Sequence, residues 1–288
     1  LIGSSLARII KKNNLSKKIV SSNRSKDINE KVIELKIVDE SSSDTEKMVQ
    51  NSDLIIIATP LSSYKEIILK IKDHLKSGSI LTDVGSVKEN VISLVEKHIP
   101  DNVSWIPSHP IAGTEDSGPE SGFSELFKNR WCIVTPSKKA KEKDINLLKK
   151  FWEKVGSKVD IMDSKKHDHI LSITSHMPHL IAYNLVRTSM DISDEKKTNI
   201  VKYSAGGLRD FTRIAASNPT MWRDIFMHNK ENSSEMIDKF IENLKDFKKA
   251  IENEDGKKLE KIFTKTKEIR KEIVEAGQDV RKPDFGRK

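Results

Sequence analysis

Across residues 1–163, apolar runs of strand length alternate with amphipathic stretches of helix length, and past 164 the strand-like runs stop. This change of rhythm constrains the fold more than any single motif. Leu54–Ala58 is apolar without a break, and Ile19–Ser22, Ser79–Val84, Val103–Pro107, Trp131–Thr135 and Val159–Met162 also read as strands. Such runs, apolar on both faces and separated by helices of about 10 residues, predict a mostly parallel sheet wrapped on both sides. The interleaved helices are predicted at 1–12, 31–34, 64–75, 89–98 and 141–155, the first with its basic residues at the favourable end. From Lys165 every segment is helical: 165–190 with a kink at Pro178, then 195–215, 219–230, 233–252 and 256–276. The last two carry apolar residues three and four apart and meet at Glu254-Asp255-Gly256, the pattern of a helical hairpin. The expectation is an α/β domain over 1–163 followed by an all-α domain over 164–288.

With 288 residues the chain has material for two cores. Its 51 Lys and Arg are scattered among 43 Asp and Glu, so the net charge of +8 forms no tract and a nucleic-acid partner is not expected. One cysteine, Cys132, excludes an intrachain disulfide and fits a reducing cytoplasm. No apolar run approaches the roughly 20 residues of a membrane helix, and nothing resembles a signal peptide. A cytoplasmic protein without membrane contact is therefore expected.

The opening Leu1-Ile2-Gly3-Ser4-Ser5-Leu6-Ala7-Arg8 looks like the end of a Gly-x-Gly-x-x-Gly turn, with Gly3 as its third glycine and the strand and first two glycines upstream of residue 1. That turn belongs to a Rossmann-type dinucleotide-binding unit. Two later features agree with it: the strand ending at Ser22 with a polar reader behind it, and Ala58-Thr59-Pro60, where a later strand would end above a cofactor. The reader, Asn23-Arg24-Ser25, lacks the acid that binds the ribose of NAD and offers neutral and cationic donors suited to a 2′-phosphate, so NADP is favoured over NAD.

Ser108–Phe123 (SHPIAGTEDSGPESGF) reads as the active-site loop. A His followed by Pro cannot continue a helix, and Gly113, Gly118, Pro119 and Gly122 keep the backbone in conformations that approach a ligand closely. The loop combines a base (His109), a hydroxyl (Thr114) and two carboxylates (Glu115, Asp116).

Together, LIGSSLA, DVGSVK (83–88), SHPIAGTE (108–115), SHMPH (175–179), GGLRDFTRIA (206–215) and MWRDIF (221–226) resemble the prephenate and arogenate dehydrogenase family, in order and over nearly the whole chain. The resemblance implies a nucleotide-binding domain joined to a helical dimerisation domain, a homodimer, and oxidative decarboxylation of prephenate to 4-hydroxyphenylpyruvate, or of arogenate to tyrosine, with NAD(P)+. It implies His109 as the base at the ring hydroxyl, with Ser86 contacting His109 or the substrate oxygen; a helix N-cap before Val87 is an equal reading of Ser86. It implies Arg213 as the carboxylate binder, Glu115 as its acidic partner gating the pocket, His179 as a second pocket histidine, and Gly113 and Thr114 on the substrate side. Trp222 and Asp168 resemble residues that reach a site across a dimer interface.

Elementary chemistry agrees. A ring alcohol is oxidised by removing its proton while hydride leaves the same carbon, and a His with a pKa near about 6.5 suits that at neutral pH, so activity should rise through an apparent pKa of about 6–7. A dianionic substrate calls for the planar fork of an Arg. No acid stands just after Arg213, in Ala215-Ala216-Ser217-Asn218, which leans toward prephenate over the ammonium-bearing arogenate, although Asp210 or Asp224 could reach the pocket. His176 and His179, three apart, have the spacing of a metal pair, but the reaction needs no metal and none is expected; His176 reads as a packing residue, and His167, His169 and His228 carry no signal. Two other readings remain: a 3-hydroxyacid-type dehydrogenase with Lys88 as its key group, and a non-catalytic cofactor-binding fragment.

Overall fold

The computed structural model describes residues 1–191 and 202–275. It opens with α1 (Ile2–Lys12), which buries Leu6, Ala7 and Ile9 and places Lys11 and Lys12 in its last turn, where the helix dipole favours cations. β1 (Val20–Ser22), α2 (Lys26–Glu34), β2 (Glu40–Ser42) and α3 (Thr45–Val49) follow, and β1 pairs in parallel with β2. No apolar pattern announced β2 or α3: Glu40-Ser41-Ser42 has no β-branched or aromatic residue, and α3 is a single short turn capped by Asp44.

β3 (Leu54–Ile57), a 3-10 turn (Leu61–Ser63), α4 (Tyr64–Ile71), β4 (Ile80–Asp83), α5 (Glu89–Glu96) and β5 (Ser104–Trp105) make a parallel sheet of order β3-β4-β5. β4 is buried at every position, as a central strand covered on both faces must be. Tyr64, Ile68 and Ile71 of α4, Val91 and Val95 of α5, and Leu81 and Trp105 of the strands share one core.

The third sheet holds β6 (Ser108–Pro110), β7 (Trp131–Val134) and β8 (Lys158–Ile161), with α6 (Glu142–Val155) before β8. β7 and β8 are parallel, but β6 runs antiparallel to β7 with His109 opposite Ile133. Two expectations are corrected here. The strands form three separately hydrogen-bonded sheets instead of one, and His109 sits in a strand rather than a loop. Pro110 is compatible with that strand because β6 is the edge of its sheet, where a missing N–H costs no ladder bond.

Past 164 the helices are α7 (Ser164–Leu171), α8 (Met177–Met190), α9 (Gly206–Thr212), α10 (Pro219–His228), α11 (Lys230–Glu252) and α12 (Gly256–Glu275). The single kinked helix expected over 165–190 is instead interrupted by a π-helical turn, Ser172–His176, ahead of Pro178 in the first turn of α8. Proline has no N–H and its ring crowds the preceding turn, and a one-residue widening of the register relieves both. The helix expected over 195–215 falls partly outside the described residues; its described part is α9 and a 3-10 turn, Arg213–Ala216. Trp222 and Ile225 of α10 join the core built by α4, α5 and β4, so Leu1–Ser233 is one compact unit. Ser234 onward is a second unit, the helical hairpin, where Phe247 stacks on Phe263 with ring centres 5.9 Å apart and Lys258 pairs with Asp246 at 2.9 Å. Among the described residues no helix is long and apolar enough to cross a membrane.

Candidate active site

The strand carrying His109 is clamped at its preceding residue. Asp83, at the end of β4, accepts from Tyr64 Oη (2.9 Å), Gly85 N (2.9 Å), Lys88 Nζ (2.6 Å) and Ser108 N (3.1 Å). Lys88 Nζ also donates to the Ser108 carbonyl at 2.8 Å, and Trp152 Nε1 donates to Ser108 Oγ at 3.1 Å. Ser108 is thus held at its amide, its carbonyl and its hydroxyl. Gly85 is required: a Cβ there would stand 2.8 Å from Asp83 Oδ2 and 2.7 Å from Leu61 Cδ2. Burial pulls the Lys88 ammonium below its ordinary pKa, and the Asp83 carboxylate works against that shift. Lys88 is fully enclosed with its ammonium committed to Asp83 and Ser108, which removes the geometry a Lys-centred 3-hydroxyacid mechanism would need.

His109 keeps 8% of its surface exposed, and its Nδ1 lies 2.9 Å from Nε2 of His167, which is sealed at 0%. His167 Nδ1 lies 2.7 Å from Asp168 Oδ1. Sequence reasoning gave His167 no role; the one signal available was its place four residues before Leu171 on the buried face of α7. Burial pushes the His109 pKa well below the ordinary histidine value, and the charges of His167, Lys88 and His176 push the same way, which corrects the expected apparent pKa of about 6–7.

Asp168 has a second task. Its carboxylate accepts Lys88 N at 2.8 Å and Glu89 N at 2.9 Å, capping α5. Ser86 therefore does not cap that helix. It is half-buried, and among the described residues its side chain makes no hydrogen bond, to His109 or otherwise.

Trp222 is buried and stacks on His179 with ring centres 3.7 Å apart. His179 Nδ1 donates to the Ser175 carbonyl at 2.9 Å, leaving Nε2 as its free nitrogen; burial lowers its pKa, and the nearby Arg213 charge adds to that. His176 is a packing residue as expected: it accepts from Asn229 at Nδ1, lies edge-on to Trp222 and Phe226, and burial lowers its pKa to about 4. Arg213 binds Glu115 at 2.8 Å, both about a third exposed, so the expected pair exists. Thr114 Oγ1 accepts Asp116 N at 3.2 Å, and a Cβ at Gly113 would meet nothing within 4 Å.

The far end of the loop packs on the first turn of α1. Phe123 N donates to Ser5 Oγ at 3.1 Å, and a Cβ at Gly122 would overlap Ser4 Oγ. Gly3 packs on the residue that follows β3, since a Cβ would lie 3.2 Å from Ala58 Cβ, the role of a third glycine in helix–strand packing. The first turn of α1 carries no acid, and Gly3 adds no side chain there, so the residues present fit a dinucleotide pyrophosphate. Thr59 Oγ1 bonds Ser63 Oγ at 2.8 Å, and Pro60 opens the following 3-10 turn. Asn23 is locked to Asn29, donating to its Oδ1 from both the amide (3.2 Å) and the side chain (3.1 Å), which leaves Arg24 and Ser25 exposed at the reader position.

Residues 6–161 match the nucleotide-binding domain of prephenate dehydrogenase, and 163–265 match its dimerization domain. Cyclohexadienyl dehydrogenase of Zymomonas mobilis is 34% identical over 270 residues, covering 94% of this chain and 92% of that one. Prephenate dehydrogenase of Bacillus subtilis is 31% identical over 94% of this chain and 73% of its own. The crystal structure of Aquifex aeolicus prephenate dehydrogenase in complex with hydroxyphenyl propionate and NAD+ superposes with a TM-score of 0.88, at 34% identity and 94% of both chains. The chain belongs to the prephenate dehydrogenase family of oxidoreductases.

Proposed function

We propose that this chain oxidatively decarboxylates prephenate to 4-hydroxyphenylpyruvate with NADP+, as a homodimer whose helical domain begins near 164. The observation that carries this reading is a buried His109, bonded to His167 and in the same compact unit as the Arg213–Glu115 pair; burial favours its neutral form. His109 takes the proton of the ring hydroxyl; when bound, the nicotinamide accepts the hydride from the same carbon. Departure of the ring carboxylate as CO2 leaves its electron pair in the ring, which becomes aromatic, so alignment and charge handling suffice. Arg213 exchanges Glu115 for a substrate carboxylate, and the His179–Trp222 stack shapes the wall beside it. Ser86, Gly113 and Thr114 line the approach to the ring.

Prephenate is favoured over arogenate because Asp210 and Asp224, the two acids near Arg213 in the chain that could meet an ammonium group, are already paired. Asp224 is buried and accepts from Ser62 N at 3.1 Å and from Arg223 at 2.7 Å, and Asp210 pairs with Arg209 at 3.1 Å. NADP is favoured because Arg24, exposed at the strand end beside Ser25, is the cation a 2′-phosphate needs, and β1 ends without an acid. Incubating the purified protein with prephenate or arogenate, each with NADP+ or NAD+, and following the absorbance of reduced nicotinamide tests all three claims. Prephenate with NADP+ is expected to give the highest kcat/KM; no reduction in any combination overturns the enzyme reading, and turnover of arogenate alone overturns the substrate.

A further inference from the structure

Resting on His109 as the base, we propose that His167 and Asp168 are positioning residues that fix which nitrogen of His109 receives the substrate proton. Asp168, a carboxylate already accepting two backbone N–H groups, can only accept from His167, so the His167 proton sits on Nδ1. His167 Nε2 is then a lone pair, and the only proton that fits the 2.9 Å contact is the one on His109 Nδ1. His109 Nε2 is left unprotonated. As that nitrogen takes the hydroxyl proton, His109 becomes an imidazolium whose Nδ1–H still points into His167, and the charge is met through His167 by Asp168.

Around His109 stand His167 of α7, Lys88 ahead of α5, His176 of the π turn and Cys132 of β7; around His167 stand Asp168, Lys88 and Asp83. Among these described residues only Asp168 and Asp83 are negative, and Asp83 is consumed by Lys88. Asp168 is therefore the anion left for the histidine pair. Because it also caps α5, the orientation of His109 is tied to the helix that follows the DVGSVK turn.

Two variants and one spectroscopic measurement test this in the full chain. His167→Leu removes the acceptor, whereas His167→Gln keeps an amide oxygen near the place of Nε2. With prephenate and NADP+, Leu should lower kcat about 100-fold, with KM and the Kd for NADP+ within about twofold; Gln should recover most of the loss. In histidine-labelled wild-type protein at neutral pH, nitrogen NMR should show His109 protonated at Nδ1 and bare at Nε2. Retained kcat in His167→Leu, or a wild-type His109 protonated at Nε2, overturns the proposal. A wild-type protein with His109 in the Nδ1–H form that leaves prephenate untouched would overturn the assigned reaction instead and leave the tautomer intact.

Discussion

His109 is the proposed base and burial favours its neutral form, so on that reading its titration sets the acid side of the activity profile. Its folded pKa is depressed well below the ordinary value of about 6.5, and a base works only when unprotonated. kcat/KM should therefore be flat from about pH 6.5 to 8 and fall only on the acid side of that window; an acid limb centred at or above pH 6.5, in an initial-rate series, would contradict the burial argument. Arg213 is the proposed binder of the substrate carboxylate. Arg213→Lys keeps the charge but loses the planar fork and should raise KM for prephenate by about 10-fold or more, with kcat less affected; an unchanged KM would remove Arg213 from the carboxylate. At this scale the sequence was readable where two motif residues meet in the structure, as with the Arg213–Glu115 pair. It was silent on His167, because a polar residue on a short helix gives no sign of being buried until its partners are placed.

Two carboxylates from the helical stretch cap helix starts in the α/β part. Asp168 of α7 caps α5, and Asp224 of α10 accepts Ser62 N in the 3-10 turn before α4. Neither cap follows from local pattern, since the acceptors lie 79 to 80 and 162 residues from their donors; Ser86, the local candidate, was the wrong choice for that reason. Asp224→Ala should cost about 0.5–2 kcal/mol for the lost cap, seen as a lower thermal midpoint, and an unchanged midpoint would mean the turn is held otherwise. Lys88→Met leaves Asp83 as an uncompensated buried charge and should cost about 3–5 kcal/mol. A midpoint equal to wild type would contradict the clamp on Ser108. The regular strands and helices were readable from period and apolar content. The π turn was half visible, as Pro178 marked the break but not the form it takes, and the edge strand at Ser108–Pro110 was hidden because His-Pro reads as a chain breaker.

Over the whole molecule, four histidines, 109, 167, 176 and 179, are held below their ordinary pKa chiefly by burial. Unfolding exposes them to their usual pKa, so between about pH 6.5 and the depressed values the unfolded chain binds more protons and stability is lost as pH falls. The thermal midpoint should drop between about pH 7 and 5, the window from the unfolded pKa toward the value of about 4 for His176; a midpoint rising toward acid would contradict neutral burial. That a nucleotide-binding α/β part is followed by a helical part was readable in the change of rhythm along the chain. The division of strands into three sheets was not, because pairing depends on partners distant in the chain. The most direct test of the central claim, that His109 takes the hydroxyl proton, compares His109→Asn with wild type in prephenate turnover and in cofactor binding. The expected result is a loss of kcat of about 100- to 10,000-fold with cofactor Kd unchanged; turnover near the wild-type rate would contradict it.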